Sequence, residues 1–542
     1  MPKKEIRANI FFHSEFDLLS LLSLAKMIRG KPCFCDQSQH PKSGSLNWDI
    51  SIYFEDDIEW IFRSPRKDYF VLQEESTSTV LASEAATLSY LRDKSGLPVP
   101  EVFSFSATHQ NDIGVPYILM SKAHGKPLAS FGWDSNDDAL DKVSRSSLTL
   151  HQKQKVMKQL GKIHASLSNL RFDRIGSLLR VEDDYTLERC LSPALIWHGR
   201  DEFDESDIPL GPFDDAASFY RAQTLALLAH VRELPMEHHV FRAPVPTRQE
   251  YNTFSEYRTA TDRWNDYVTV GSKIESATNR LEYTSAGLAI LDFVPLLAER
   301  ENQIISPSFP LFHPDLSTNN LFVDDDLNVT CIIDWACTSS VPKSTLLVCP
   351  GLPHSRNPPS LDCIASFKEG FLEGKGFDGQ PALPFENSND LWQFARLVNL
   401  DSIQDYDHFS KLFQSLAPGQ ELYTKLHDLK KRDEFINSLK VVSQYTATSE
   451  EIRNEKQYFE CNGSERLALA RHMTTMTNLN PRFVADQRLW KWVSIYLKER
   501  DTYMFPPLSG KLSESCENCL GHKEPWSVNL NETNITPLRT TG

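Results

Sequence analysis

The stretch FPLFHPDLSTNNLFVDDDLNVTCIIDW, Phe309 to Trp335, decides how this chain is read. FPLFH, LFV and VTCIID are three short apolar strands, and DDDLN between the last two is a turn. LFV and VTCIID pair antiparallel about that turn, so the strand end holding Asp334 lies beside the one holding Asn320. Asp315 sits in the loop that leads into LFV. Hairpin pairing thus brings two carboxylates and an amide to one edge. Such a set suits phosphoryl transfer: Asn and Asp offer hard oxygen ligands to Mg²⁺, and a carboxylate orients or deprotonates an attacking hydroxyl. A base at Asp315 would supply roughly 10²–10⁴ in rate.

At 542 residues, 40% hydrophobic and 24% charged, the chain has a globular composition and length for more than one structural unit. No uninterrupted apolar run approaches the ~20 residues that cross a bilayer, so no membrane span is expected. The formal net charge of −16 argues against nucleic-acid partners, because phosphate contact needs clustered Lys and Arg. The N-terminus lacks the order of a signal peptide. Glu5, Glu15 and Asp17 speak against a mitochondrial presequence, so the cytosol is expected ahead of mitochondria. Ten cysteines are too dilute for a disulfide scaffold. Cys33 and Cys35 with His40, and Cys516 and Cys519 with His522, have loose metal-ligand character. Neither set supplies the four ligands of a structural zinc site.

Upstream, SLNWDISIYF alternates Trp48, Ile50, Ile52 and Phe54 against Asp49, Ser51 and Tyr53. IEWIFR alternates again after the turn EDD, which makes a hairpin with one face on a core. TVLASEAATLSYLRDKSG places Leu81, Leu88 and Leu91 on one helical stripe around Glu84, and Gly96 suits its C-cap. EVFSFSA and VPYILMSKA read as further strands. Residues 40–125 are therefore a five-stranded antiparallel unit with one helix, preceded by a helical extension over 1–39. VMKQLGKIHASL opens a larger, mainly helical part over 126–500, with helical patterns around 385–415, 420–445 and 465–500. Residues 184–290 form an insertion, the least legible part, in which Ala216 to Val231 looks helical and RTATDRWNDYVTVGSKIESATNRLEY could hold another helix or two; 501–542 have the composition of a disordered tail.

HPDLSTNN, followed by an apolar strand and IIDW, resembles the aminoglycoside phosphotransferase and choline-kinase-like branch of the protein-kinase fold. The large fungal members are the most similar. HPDLSTNN matches the catalytic-loop pattern H-x-D-x-x-x-x-N, and IIDW stands where kinases carry D-F-G. The resemblance runs from about residue 40 to 345, and more loosely to 500. It implies a bilobal α+β fold: a small five-stranded antiparallel N-lobe with one helix, then a larger, mainly helical C-lobe with insertions. It also implies ATP and Mg²⁺, with Asp315 as catalytic base and Asn320 and Asp334 as metal ligands. By the same resemblance Arg63 stands at the phosphate-binding lysine and Glu84 at that cation's helix partner. Gly44 and Ser45 fall in the turn over the phosphates, and the backbone of Met120, Ser121 and Ala123 falls at the hinge that holds adenine. Arg63 keeps the lysine's charge but exchanges a point charge for a planar fork. Pro314 stands where glycine is common, and the glycine loop is reduced to Gly44. His313 and Trp335 are expected to pack the wall of the site, and His164 to be a satisfied core histidine.

The resemblance further implies transfer of the γ-phosphoryl group of ATP to a hydroxyl of a small molecule. In that family acidic residues meet substrate amines. The run Asp201, Glu202, Asp204, Glu205 and Asp207, with Asp214 and Asp215 beyond it, leaves two expectations open: a cationic acceptor or a solvated acidic loop. The alternative to an active kinase is a weak or inactive pseudokinase, serving as a nucleotide-binding or interaction module; Arg63 and the thin glycine loop motivate it. A protein kinase fits less well, since no A-P-E-like segment or activation loop follows Asp334.

Overall fold

The computed structural model describes residues 9–44, 46–66, 72–133, 147–234, 277–302, 308–355, 357–375, 385–400 and 406–442. Ser45, Cys516 and Cys519, the helical pattern around 465–500 and the tail 501–542 lie outside them.

Six strands build the first lobe: β1 (Cys33–Phe34), β2 (Lys42–Ser43), β3 (Asn47–Phe54), β4 (Glu59–Pro65), β5 (Val102–Ser106) and β6 (Tyr117–Ser121). They form the expected five-stranded antiparallel path in the order β1-β3-β4-β6-β5, with β2 also pairing β3. Alternation assigns the faces. Trp48, Ile50, Ile52, Phe54, Trp60 and Phe62 are buried on one side. Asp49 and Arg63, directly opposed across β3 and β4, point to the other.

Apolar residues stand on both faces of this sheet, so both need cover. On the inner face α2 (Glu74–Lys94) packs Leu81, Ala85, Leu88 and Leu91 with Ile118 and Met120. The outer face is covered from within 1–39: Leu21 and Ala25 of α1 (Leu18–Arg29) join Ile10 against Trp48 and Phe62. The N-terminal extension is thus part of the sheet's own core. Asp17 starts α1 by accepting from the Ser20 N–H at 2.9 Å. α2 ends on Ser95 and not on Gly96, because the Ser95 N–H and hydroxyl both donate to the Leu91 carbonyl. That closure needs no left-handed residue.

The Cys33 and Cys35 thiols donate to the Leu22 and Ser51 carbonyls at 3.4 and 3.5 Å. Burial pushes the Cys35 thiol up to about 12, so it stays protonated and packs as a small apolar group. Among the described residues no group of three His, Cys, Asp or Glu side chains is placed to hold a metal ion.

The second lobe carries α3 (Leu150–Leu167), α4 (Ala216–Glu233), α5 (Ala277–Asn302), α6 (Leu361–Lys375) and α7 (Ser388–Asn399). Three shorter helices follow: Asp407–Leu416, Leu422–Leu429 and Asp433–Val442. The 184–290 region holds the helix expected from Ala216 to Val231 as α4, together with strand Asp184–Glu188, a short helix Pro193–Ile196 and the start of α5. Within α5, Arg280–Glu301 is long and apolar enough to cross a membrane, yet 67% of its most apolar window is buried in the second lobe's core. Its hydrophobicity on all sides is that of a core helix.

α3 and α6 cross without side chains between them. A Cβ on Gly370 would stand 1.9 Å from the Lys158 carbonyl oxygen, and one on Gly161 would stand 2.1 Å from that of Phe367. Backbone cannot step aside as a flexible side chain can. Gly370→Ala should therefore cost about 1–3 kcal/mol and lower the thermal midpoint, read by circular dichroism. An unchanged midpoint would show that the crossing is not held this tightly.

Candidate active site

The Phe309–Trp335 segment folds into β10 (Leu311–Phe312), β11 (Leu321–Val323) and β12 (Val329–Ile332), in sequence after β7 (Lys126–Pro127) and the hairpin β8 (Ser177–Val181) and β9 (Asp184–Glu188). β11 pairs β12 with Leu321 opposite Ile332, and the Ile333 N–H donates to the Asn320 carbonyl at 3.0 Å. Asn320 and Asp334 therefore end neighbouring strands on the same side. β7 pairs with the outer edge of β11 and lies just past β6, which ties this hairpin to the hinge between the lobes.

His313 fixes the loop. Its Nε2 donates to the Ile333 carbonyl at 3.0 Å, and its Nδ1 accepts from the Asp315 N–H at 3.1 Å. That pair of bonds requires the neutral ring, and burial holds its pKa below the usual histidine value. Trp335 stacks edge-on at 4.7 Å and donates its indole N–H to the Ile332 carbonyl. Asn320 donates its amide to the Asp315 carbonyl at 2.9 Å. With its nitrogen so used, the amide oxygen is what Asn320 can offer to a ligand. The Asp315 carboxylate accepts from the Ser355 hydroxyl at 3.3 Å and lies 3.8 Å from His354 Nε2. Neither neighbour was singled out in the sequence, since both sit in the irregular stretch after β13 (Ser339–Ser340).

From the first lobe, Arg63 reaches both carboxylates that flank it. Its Nη1 donates to Glu84 at 2.7 Å and its Nη2 to Asp334 at 2.5 Å. With its amide oxygen facing the guanidinium, Asn47 also accepts from Nε at 3.2 Å. Burial alone would lower the Arg63 pKa, but Asp334 and then Glu84 outweigh it and keep the guanidinium charged. Burial dominates at Glu84, holding it above the ordinary carboxylate range against the pull of Arg63. At Asp334 the opposite holds: Arg63 outweighs burial and keeps the carboxylate ionised. Asp334 adopts φ +67°, a left-handed conformation that is strained for a non-glycine residue and concentrates at functional sites.

The other sequence candidates fall on the sheet. Gly44 is exposed in the β2–β3 turn, closed by its own N–H to the Asn47 carbonyl at 2.8 Å. Met120 pairs with Ile61 and Val102 inside the sheet, and the Ser121 N–H is used by the Glu101 carbonyl. Ala123, beyond the strand end, is the hinge position not committed to strand pairing. The acidic run does not line the site. Asp201 and Glu202 accept from the backbone and side chain of Gln73 at the start of α2, each at 2.6 Å. Asp214 pairs with Arg174, and Asp215 caps α4. A negative charge at a helix N-terminus is stabilising, which accounts for two of these carboxylates without a substrate.

A cavity of about 360 Å³ opens beside Asp315 and Asp334. Its walls come from the 192–198 segment, α4, the catalytic loop, the 345–355 stretch and α7. Asn320 and Asp334 present only oxygen to a ligand, the donor chemistry that a hard cation such as Mg²⁺ takes. The residues present thus fit the group.

A sequence profile of the phosphotransferase enzyme family (APH) matches residues 53–341. A subtelomeric hrmA-associated cluster protein of Aspergillus fumigatus is 27% identical over 321 residues, 55% of this chain and 58% of that protein. The chain thus spans little more than half the length of that relative. Altered inheritance of mitochondria protein 9 of Lachancea thermotolerans is 33% identical over 127 residues, 23% of this chain and 19% of that one. Among solved structures, the apoenzyme of macrolide 2′-phosphotransferase MphH from Brachybacterium faecium aligns at 15% identity with a TM-score of 0.31. That alignment covers 74% of this chain and 100% of that one.

Removing Arg63 would leave Glu84, 1% exposed, without its cation. Arg63→Met should cost about 3–5 kcal/mol in urea denaturation, and adding Glu84→Met should recover part of that loss. A single substitution without effect would show that the pair contributes nothing to folding.

Proposed function

The chain belongs to the phosphotransferase enzyme family, and we propose that it moves the γ-phosphoryl group of ATP to a hydroxyl of a small molecule. The observation that carries this reading is the junction itself: Asp315 and Asp334 line one cavity, with Arg63 tied to Asp334 from the other lobe. In this reading the acceptor hydroxyl gives its proton to Asp315 and its oxygen bonds to the γ-phosphorus. The bond from that phosphorus to the β,γ-bridging oxygen breaks, and ADP leaves with the electron pair. Mg²⁺, when bound, neutralises charge on the phosphate oxygens. Asn320 and Asp334 would hold it, Arg63 would meet the phosphates as a cation already positioned by Glu84, and the chain past Ser121 would hold the adenine.

A second reading, a pseudokinase, is favoured by one contact. Arg63 Nη2 lies 2.5 Å from Asp334, so the carboxylate meant for the metal already has a fixed cation. Calorimetric titration of ATP with and without Mg²⁺ separates the two. The active-kinase reading expects binding that needs both Mg²⁺ and Asp334, so Asp334→Ala should lose metal-dependent binding while its circular dichroism spectrum stays unchanged. Wild-type affinity in that variant would refute the metal-ligand role. Asp315→Asn should keep nucleotide binding and slow turnover by about 10²–10⁴. Undiminished turnover would remove Asp315 from the role of base.

A further inference from the structure

We propose that the chain phosphorylates itself on Ser355; this rests on the phosphotransferase reading of the site.

In that reading the Ser355 hydroxyl stands where an acceptor hydroxyl has to stand. It donates to Asp315 Oδ1 at 3.3 Å, a separation from which catalytic hydrogen bonds tighten once a complex forms. Oδ2 of the same carboxylate lies 3.5 Å from Asn320 Nδ2, so one group touches both Ser355 and a metal-ligand candidate. Ser355 lines the cavity together with Asp315 and Asp334, and the Ser355 and Asp315 side chains are both partly exposed. A phosphate that reaches Asp315 through this cavity reaches the hydroxyl too.

The hydrogen bonds leave the oxygen able to attack. A serine hydroxyl has one proton and two lone pairs. The proton lies in the bond to Asp315, so His354 Nδ1, 3.2 Å away, donates to one lone pair. The other has no partner among the described residues. Backbone contacts hold the serine in place. The Thr318 N–H, between Asp315 and Asn320, donates to the Pro353 carbonyl at 2.9 Å, and the Thr318 hydroxyl does so at 3.3 Å. The Trp392 indole N–H of α7 donates to the Ser355 carbonyl at 3.3 Å. Ser355 is thus fixed beside Asp315 by the loop that carries Asp315, and a reacting group already in position needs no encounter.

In the step the Ser355 proton passes to Asp315 and Oγ bonds to the γ-phosphorus of ATP. The bond from that phosphorus to the β,γ-bridging oxygen breaks, and ADP leaves with the electron pair. A phosphoserine carries a charge of about −1.5 to −2. Beside Asp315 and Asp334 it would occupy the cavity and repel a second phosphate, so the chain silences itself when no other acceptor is present.

The test is incubation of the full chain with ATP and Mg²⁺ and no added acceptor, followed by intact mass and peptide mapping. A single phosphate per chain is expected, on Ser355, at a rate per chain that dilution of the protein leaves unchanged. Ser355→Ala should take up none. Ser355→Thr should take it up as phosphothreonine, which a misfolded variant would not do. Asp315→Asn should slow uptake by about 10²–10⁴. Phosphate on another residue, a rate that falls on dilution, or undiminished uptake in Ser355→Ala or Asp315→Asn overturns the proposal. Mg²⁺-dependent ATP binding is titrated alongside, so the two readings fail separately. Binding without phosphoserine overturns the proposal and leaves the phosphotransferase reading standing, whereas no binding refutes both.

Discussion

The guanidinium of Arg63 is held in common by three elements, one of which lies 271 residues further along the chain. It projects from β4, meets Glu84 on α2 with one nitrogen and Asp334 at the end of the β11–β12 hairpin with another. A lysine ammonium is a compact point charge, whereas a planar fork presents separate N–H groups in fixed directions. That difference lets one side chain hold a helix and a strand end at once. Taking these charges out of water is expensive, so the cluster is a poor source of net stability. Its effect is positional. Asp334 is kept ionised, and Glu84 is kept from being a lone buried carboxylate.

Around that cluster the site is built from backbone as much as from side chains. His313 joins the catalytic loop to the strand end before Asp334, and Asn320 holds the Asp315 carbonyl. A close approach links this to the hinge. Gly125, at φ +88°, lies where a Cβ would come within 2.4 Å of the Val323 carbonyl oxygen, so β7 can join β11 only through glycine. The carboxylate of Asp315 then stands beside Ser355 and His354 and shares one cavity with Asp334.

What was legible in the sequence follows from periodicity. The β3–β4 alternation and the LFV–VTCIID hairpin are two-residue patterns with clear turns, so their register and their polar ends could be placed. The pairing of Arg63 with Glu84 became readable only through resemblance, since either charge alone reads as surface. α5 escaped a clear reading because its apolar residues are spread around the helix and most of it is buried; no single helical stripe stands out, and Pro295 interrupts it further. The acidic run pointed toward a cationic substrate, but two of its members serve the start of α2. The N-terminal segment read as an extension because nothing local shows that the outer face of the sheet lacks another cover.

By itself the sequence determined the family, the hairpin within Phe309–Trp335 and the convergence of Asp315, Asn320 and Asp334 on one edge. Those depend on short-range spacing and on strand pairing across a five-residue turn. Tertiary structure alone decided the double engagement of Arg63, the bond of His164 to the Leu346 carbonyl and that of Ser355 to Asp315. Each requires groups far apart along the chain to meet: Arg63 reaches Asp334 across 271 positions, and His164 meets Leu346 across 182. No local pattern encodes such a meeting, because burial and partner choice are settled only when the helices and the sheet have packed.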